Sequence, residues 1–354
     1  DGIRDLVLSL VGSEMCIRDR PYTLKFLWAP LLDRYTPGLL GRRRGWLLIV
    51  QVCLILSILV LSLSRPAESP LGLGLAALLL TFFSATQDIV IDAYRREALH
   101  DRELGLGASL YVNGYRVGML LASGGGLILA DFISFRQVYL VMAIIMLAGV
   151  VTTLLAPEPD QAQGKPKSLR EAVVEPFLEY FRRQDAVLIL LFILLYKVGD
   201  TMASHMSIPF YLDVGFSKSE IGTVVKLFGF WATLAGGFIG GLLILRIGIY
   251  RGLWAFGILQ GLSTAGFALL AYVGYNLAGL AAVIAFENFS SGLGTAAYVA
   301  FMAGLTNKRF TATQYALLTS FMGIPRVIVA TPTGLMADSM GSVSYTHLRA
   351  HETT

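Results

Sequence analysis

Nine ionisable side chains lie inside long apolar stretches of this sequence. They are Lys25, Asp88, Asp92, Arg116, Lys197, Asp200, Lys226, Glu287 and Arg326. A charge at the centre of a membrane-spanning helix costs about 2.5 to 3.5 kcal/mol on insertion scales, and is rarely kept without a use. Such groups carry protons or bind charged solutes, so they predict movement of a solute or of protons across a membrane.

The pair Asp88 and Asp92 is the first candidate for a proton and substrate centre. The two residues are four positions apart and therefore share a helix face. When two carboxylates lie close together, one of them holds a proton more readily. Gln87 beside them can hydrogen-bond a sugar hydroxyl or amide. The alternative for Asp92 is an ion pair with Arg95 or Arg96 at the membrane interface.

The remaining charges have both functional and structural interpretations. Lys197 and Asp200 are three positions apart, so they either serve transport or simply neutralise each other. Glu287 and Asn288 lie in a helix rich in Gly and Ser, which allows a sugar-lined cavity or close helix packing. Lys25 and Lys226 are further candidates for the proton and substrate path.

A weak internal repeat singles out two arginines. Arg116-Val117 is followed by Gly124, and Arg326-Val327 by Gly334, at the same spacing. Arg116 and Arg326 are therefore expected to point into the protein, where each binds a substrate carboxylate or holds a carboxylate of the protein.

A charged loop follows the first apolar stretch. Asp33 and Arg34, with Arg42, Arg43 and Arg44, predict an ion-pair latch that breaks when the inner side opens. The alternative is that the arginines only fix topology and bind anionic lipid headgroups. Topology alone does not call for Asp33, which favours the latch.

The elements that must position these residues are transmembrane helices. The 354 residues are 55% hydrophobic and 15% charged, with a mean hydropathy of +0.66, which indicates an integral membrane protein. Stretches near the length needed to cross about 30 Å of hydrocarbon favour helices over a β-barrel. Ten are predicted, at 21–34, 45–64, 71–94, 104–130, 136–156, 187–212, 220–245, 252–273, 277–304 and 314–338.

The distribution of Lys and Arg orients these helices. One set of alternate loops holds most of these residues, and the opposite set holds Arg65, Arg136 and Lys218. The first set is therefore predicted to be cytoplasmic. Its longest member, 157–185, carries an apolar stripe of helical period, which lies either on the inner membrane surface or in a solvated linker helix. The stripe contains Val173, Val174, Phe177, Leu178 and Phe181.

Both chain ends are interpreted as adapter-like sequence. Residues 15–20 and 343–347 can be encoded by reverse-complementary strings. The predicted organisation is an adapter-like 1–20, an N-terminal helical bundle at 21–156 without its first helix, and a cytoplasmic linker with an amphipathic helix at 157–185. A C-terminal bundle at 186–342, without its last helix or helices, and an adapter-like 343–354 complete it. One restored helix at each end gives a six-plus-six, two-bundle plan.

Several strings across residues 21–342 resemble one family. They are YTLKFLWAPLLDRYTPGLLGRRRGWLL (22–48), SATQDIVIDAYRRE (84–97), NGYRVGML (113–120), TLLAPEP (153–159), LYKVGD (195–200), AFENFSSGLGT (285–295) and ATQYALL (312–318). Together they resemble the AmpG-type muropeptide permeases of the major facilitator superfamily. One departure is that the second-half copy of the gating loop, 240–252, offers Arg246 and Arg251 but no acidic residue.

The resemblance implies an all-α polytopic membrane protein with a major-facilitator-like two-bundle fold, truncated to about ten transmembrane helices. It implies a multi-pass permease of the bacterial cytoplasmic (inner) membrane. That permease uses the proton gradient, with no cofactor, to import anhydromuropeptides, which are N-acetylglucosamine-anhydro-N-acetylmuramyl conjugates, for cell-wall recycling. The expected partners are the glycopeptide substrate and the lipid bilayer. The protein itself is expected to be a monomer.

Other function classes are weaker. No metal-ligand spacing, phosphate-binding loop or Ser-His-Asp set indicates an enzyme, and no basic domain indicates nucleic-acid binding. A major facilitator carrier of another sugar conjugate or of an acyl-coenzyme A is the alternative among transporters. A non-transporting membrane sensor or an intramembrane transferase is the alternative from a different class.

Overall fold

A computed structural model describes residues 21–38, 40–64, 69–160, 164 and 166–328, and this part of the chain contains helices and turns without a strand. The α-helices of five or more residues are α1 Ala29–Arg34, α2 Arg42–Leu63, α3 Pro70–Ala98, α4 Leu104–Leu120, α5 Gly126–Ala130, α6 Phe135–Leu155, α7 Leu169–Phe181, α8 Ala186–Val214, α9 Gly229–Ile247, α10 Ile249–Val273, α11 Leu277–Gly304 and α12 Thr311–Ile328. A 3-10 turn at Lys25–Leu27 precedes α1.

Two of the long helices, α3 and α6, begin where the sequence supplies side-chain caps. The Ser69 side chain accepts a hydrogen bond from Gly72 N, and a proline lies in the first turn of α3. At the start of α6, Ser134 and Gln137 form a capping box in which each side chain bonds the backbone N–H of the other. These caps supply partners for amides that a helix leaves unpaired at its first turn.

Six described helical segments are long and apolar enough to cross a membrane: Arg42–Leu63, Leu71–Ala98, Phe135–Leu155, Lys218–Ile247, Ile249–Val273 and Leu277–Gly304. The described parts of the other predicted spans also fall on helices. The stretch 104–130 contains α4 and α5, joined by a π-helical segment at Leu121–Gly125, and 187–212 lies within α8. The prediction of an all-α polytopic fold is therefore confirmed.

The chain divides into two compact units. The first contains the described residues up to His100, then Arg116–Ala186 and Leu305–Phe321; the second contains Asp101–Tyr115, Val187–Gly304 and the described residues from Met322. The predicted bundles, 21–156 and 186–342, remain predictions, because the two short segments group with the other half.

The first unit is built on α2, which packs against α3 and α6, while α7 packs against α1. Its core includes a cluster from α1, α2, α3 and α12: Ala29, Leu32, Leu47, Ile89, Val90, Ala93, Ala312 and Ala316. The start of α12 therefore belongs to the same core as the charged loop that follows α1.

The second unit is built on α11, which packs against α9 and α10. Glycines allow α9 and α11 to approach closely. A Cβ added to Gly236 would lie 2.1 Å from the carbonyl oxygen of Phe289, and one added to Gly292 would lie 2.4 Å from that of Thr233. Small residues at such contacts are typical of packed membrane helices.

Some predicted residues lie outside what the structure describes. The adapter-like ends at 1–20 and 343–354 are outside the described residues. Lys197, Asp200 and Arg326 lie in described helices, but their side chains are outside the description, so their assigned roles remain predictions.

Candidate transport and gating site

Asp33 is the centre of a buried polar cluster in the first unit. Its side chain is fully buried, and each carboxylate oxygen accepts two hydrogen bonds. Oδ1 accepts from Arg43 Nη2 at 2.7 Å and from Ala312 N at 3.2 Å. Oδ2 accepts from Thr313 N at 2.9 Å and from Thr313 Oγ1 at 2.8 Å. Asp33 therefore binds the first-turn amides of α12, where the helix dipole favours a negative charge.

Two arginines and a glutamate complete this cluster. Glu97 Oε1 accepts from Arg43 Nη2 at 2.6 Å and from Arg42 Nη2 at 3.0 Å, and Glu97 Oε2 accepts from Arg43 Nε at 3.0 Å. Arg42, Arg43 and Asp33 are almost completely buried, as is the Glu97 side chain. We call Asp33, Arg42, Arg43 and Glu97 the latch cluster. It balances two cations with two anions, as burial requires.

Arg44 and Arg34 lie outside the latch cluster. Arg44 donates to two carbonyl oxygens at the end of α6, Thr153 O at 3.0 Å and Leu154 O at 2.6 Å. Arg34 lies over the ring of Tyr35, its chain neighbour. Of the five residues assigned to the latch, Asp33, Arg42 and Arg43 are thus brought together.

Glu158 binds the start of α2 in return. Its carboxylate accepts from Arg43 N at 2.8 Å and from Arg44 N at 2.9 Å. Gly41 makes this approach possible, because its φ is +87° and an added Cβ would lie 2.5 Å from the Glu158 side chain. The sequence interpretation missed Glu97 and Glu158, although both lie in family-like strings, SATQDIVIDAYRRE and TLLAPEP.

Asp88 pairs with Lys25. Lys25 Nζ lies 2.6 Å from Asp88 Oδ2; the lysine side chain is almost completely buried and the aspartate side chain is 24% exposed. The same two segments meet again where Trp28 Nε1 donates to Thr86 Oγ1 at 3.1 Å. No basic residue at helical spacing was expected for Asp88 within its own helix, and its partner indeed comes from another segment.

Asp92 and Gln87 lie beside this pair on α3. Asp92 is buried and accepts from Arg95 Nη2 at 3.1 Å, which is the ion pair expected as its alternative. Arg95 also donates to the Tyr315 hydroxyl at 2.8 Å, so the pair links α3 to α12. Gln87 Oε1 is buried and has no hydrogen-bond partner among the described residues.

The candidates of the second unit are more dispersed. Asn288 Oδ1 accepts from Thr233 Oγ1 at 2.9 Å, and Asn288 Nδ2 donates to Ile284 O at 3.1 Å. Glu287 is half-buried and interacts electrostatically with Tyr211, while Lys226 is exposed. In the first unit, Arg116 is half-buried. The roles assigned to these four residues remain predictions.

Two tyrosines outside the membrane helices have altered acidity. Burial raises the pKa of the Tyr180 phenol on α7, and the charge of Arg183 opposes that shift. A hydrogen bond to Glu220 raises the pKa of Tyr275, which lies between α10 and α11. The described residues contain no group of three or more His, Cys, Asp or Glu side chains that could hold a metal ion.

Comparisons with known proteins agree with this arrangement. Residues 22–330 match the Major Facilitator Superfamily. The anhydromuropeptide permease of Escherichia coli K12 is 42% identical over 335 residues, which cover 94% of this chain and 67% of that protein. A protein of Rickettsia conorii described as putative transporter AmpG 4 is 33% identical over 330 residues, covering 90% of this chain and 80% of that protein.

The fold also matches solved structures. The transporter FucP in the outward conformation superposes with a TM-score of 0.70 at 13% identity, covering 92% of this chain and 83% of that chain. This likeness supports the fold alone. With the sequence matches, it shows that the chain is a multi-pass protein of the bacterial inner membrane and belongs to the AmpG-type family of the major facilitator superfamily.

Proposed function

We propose that this protein imports anhydromuropeptides, in symport with protons, for cell-wall recycling. The substrate follows from the 42% identity to a protein named anhydromuropeptide permease. The proton gradient is the only energy source required, so no cofactor is assigned. In this proposal the protein works as a monomer, carries its substrate chemically unchanged and binds no nucleic acid.

The observation that carries the coupling proposal is the Lys25–Asp88 pair, at 2.6 Å between Nζ and Oδ2. An ammonium and a carboxylate of opposite charge neutralise each other in a low-dielectric site. A proton arriving at Asp88 removes its negative charge and leaves the Lys25 ammonium without that counter-ion. Lys25 then binds a carboxylate of the substrate, which couples proton uptake to substrate uptake.

Further polar and charged groups supply recognition. The buried Gln87 Oε1, which lacks a partner among the described residues, can accept a hydrogen bond from a sugar hydroxyl or acetamide N–H. Glu287 and Asn288 add hydrogen-bonding groups in the second unit, and Arg116 and Lys226 add positive charge. Roles in substrate or proton binding for Lys197, Asp200 and Arg326 rest on the sequence pattern alone.

The latch cluster provides the gate in this proposal. Asp33 holds the first turn of α12 through three hydrogen bonds, and Arg95 holds Tyr315, two residues after Thr313. Releasing these contacts frees the start of α12 from α1 and α3. Arg95 donates to both Asp92 and Tyr315. A change of charge on Asp88 or Asp92 can therefore affect the position of α12 through the Arg95 side chain.

Uptake of radiolabelled anhydromuropeptide into membrane vesicles that contain the protein tests the function. We expect accumulation when a proton gradient is imposed and none after an uncoupler collapses it. Accumulation that ignores the uncoupler would remove the symport proposal. Competition by unlabelled sugar conjugates or acyl-coenzyme A, in place of anhydromuropeptide, would assign the alternative substrate.

Asp88→Asn tests the coupling residue. We expect gradient-driven accumulation to be lost while membrane insertion is unchanged, since the amide cannot exchange a proton. Asp131→Asn is the matched control, because Asp131 is exposed in a turn after α5. Wild-type accumulation by Asp88→Asn would overturn the assignment.

A further inference from the structure

The helix α7, in the connection between α6 and α8, has two different sides. Ala172, Pro176 and Tyr180 recur every four residues and are buried. The other side is apolar but exposed. We call it the lipid face, and it consists of Val173, Val174, Leu178 and Phe181. An exposed apolar surface of this size on a helix too short to cross a membrane calls for a partner.

The buried side of α7 is fixed to the rest of the first unit. It packs against α1, and Glu171 forms an ion pair with Arg309. Gln314 Nε2 donates to Glu179 Oε2 at 2.9 Å and to Pro176 O at 3.1 Å. These contacts set the level of α7 at the end of α1 and the start of α12. The lipid face is therefore held close to where membrane helices end.

Two acidic and two basic residues of this segment differ in exposure, while a third acidic residue, Glu175, is exposed. Glu171 and Glu179 are turned toward the protein, where they meet Arg309, Gln314 and Arg183. Arg170 and Arg182, by contrast, are exposed. A long arginine side chain can extend from an apolar face to reach phosphate groups. Exposed apolar side chains with exposed arginines beside them complement a surface that has an apolar interior and anionic groups at its boundary with water.

We propose that the lipid face of α7 lies in the headgroup region of the inner leaflet, with Arg170 and Arg182 bound to anionic phospholipids. At 1.5 Å per residue, the 13 residues of α7 extend about 20 Å along the membrane plane. Both ends of α7 continue into membrane helices, α6 and α8, so the face does not need to find the membrane from solution. This placement does not depend on the transported substrate.

Fluorescence quenching in proteoliposomes tests the position of the lipid face. In a background with Cys16→Ser and Cys53→Ser, Val174→Cys is labelled with a nitrobenzoxadiazole group. Glu175→Cys is the matched control, because residue 175 is also exposed but lies outside the apolar face. The vesicles contain phosphatidylglycerol and phosphatidylcholine, with iodide as the aqueous quencher and 5-doxyl phosphatidylcholine as the membrane quencher.

We expect the label at 174 to emit at shorter wavelength than the label at 175. Doxyl lipid should quench it several times more strongly, and iodide several times more weakly. Equal iodide quenching at the two positions would place α7 in water and overturn the proposal. Protection of position 174 from both quenchers would show that protein covers the face, and would overturn it equally. Leu178→Cys repeats the test if Val174→Cys fails to fold.

Lipid selectivity tests the charge component. Spin-labelled phosphatidylglycerol should be enriched in the protein-associated lipid fraction. The double variant Arg170→Gln and Arg182→Gln should lose much of this enrichment, with no change for spin-labelled phosphatidylcholine. Lys218→Gln, a substitution of an exposed cation far along the chain, is the control. Unchanged phosphatidylglycerol enrichment in the double variant would contradict the assigned lipid contact.

Discussion

Replacing Asp33 by Asn should release the start of α12. The two oxygens of Asp33 accept four hydrogen bonds, two each. Asparagine has one acceptor oxygen, and its NH2 group must face two of those donors. The substitution also leaves the latch cluster with two cations and one anion, although the cluster is buried.

The magnitude follows from these losses. A buried donor without an acceptor costs about 1–3 kcal/mol, so two cost about 2–6 kcal/mol. Breaking a buried ion pair by removing one charge costs about 3–5 kcal/mol, which is the same range. We take about 3 kcal/mol as the free energy by which Asp33→Asn weakens the attachment of the first turn of α12. This corresponds to roughly a 100-fold change in the equilibrium constant for opening of that turn.

Hydrogen exchange measured by mass spectrometry reports this opening directly. The amides of Ala312 and Thr313 donate to Asp33, so a peptide that contains them should exchange roughly 100-fold faster in Asp33→Asn. Peptides from α9 should not change. Asp131→Asn again serves as the exposed control. An acceleration below about threefold at these two amides would refute the structural reasoning.

Three further substitutions test local packing by thermal unfolding in detergent. Gly41→Ala should destabilise the folded protein by roughly 1–2 kcal/mol because residue 41 has a positive φ, and by more because the Glu158 side chain must move; an unchanged midpoint would refute the contact between Gly41 and Glu158. Gly236→Ala should cost about 1–3 kcal/mol or more from overpacking, whereas Gly261→Ala, with open space around it, should cost little; equal effects would be inconsistent with close approach of α9 and α11. Tyr298→Phe should lower the free energy of unfolding by about 0.5–1.5 kcal/mol, because the Tyr298 hydroxyl donates to the buried Ile193 O at 2.6 Å. An unchanged midpoint would show that this hydrogen bond does not contribute to stability.

The sequence was sufficient to predict the helices because hydropathy and helix length are local properties of the chain. It also grouped Asp33 and Arg34 with Arg42, Arg43 and Arg44, because topology alone does not call for Asp33. Of these five, the structure brings Asp33, Arg42 and Arg43 together. The sequence did not identify Glu97 or Glu158 as partners. These lie 54 and 115 positions from Arg43, and only the packing of α2 against α3 and α6 brings them together.

The same limit applies to Asp88 and to the course of α4. Helical periodicity can name partners only within one helix, whereas Lys25 reaches Asp88 across 63 positions. Hydropathy predicts one span over 104–130, but the structure has a π-helical segment at Leu121–Gly125. A π-helix differs from an α-helix in which backbone groups are hydrogen-bonded, and hydropathy carries no information about that. The exposed apolar residues of α7 were predicted as a stripe, while their orientation toward lipid remains a proposal.

The hydrogen bonds from the first amides of α2 to Glu158 have a consequence for biosynthesis. The Arg43 and Arg44 amides receive Glu158 from more than a hundred residues downstream. At a synthesis rate of about 5–20 residues per second, Glu158 leaves the ribosome roughly 6–23 s after Arg43. During that interval water, lipid headgroups or the insertion machinery must satisfy those amides. A nascent chain that stalls before residue 158 therefore carries α2 without the carboxylate that binds its first amides.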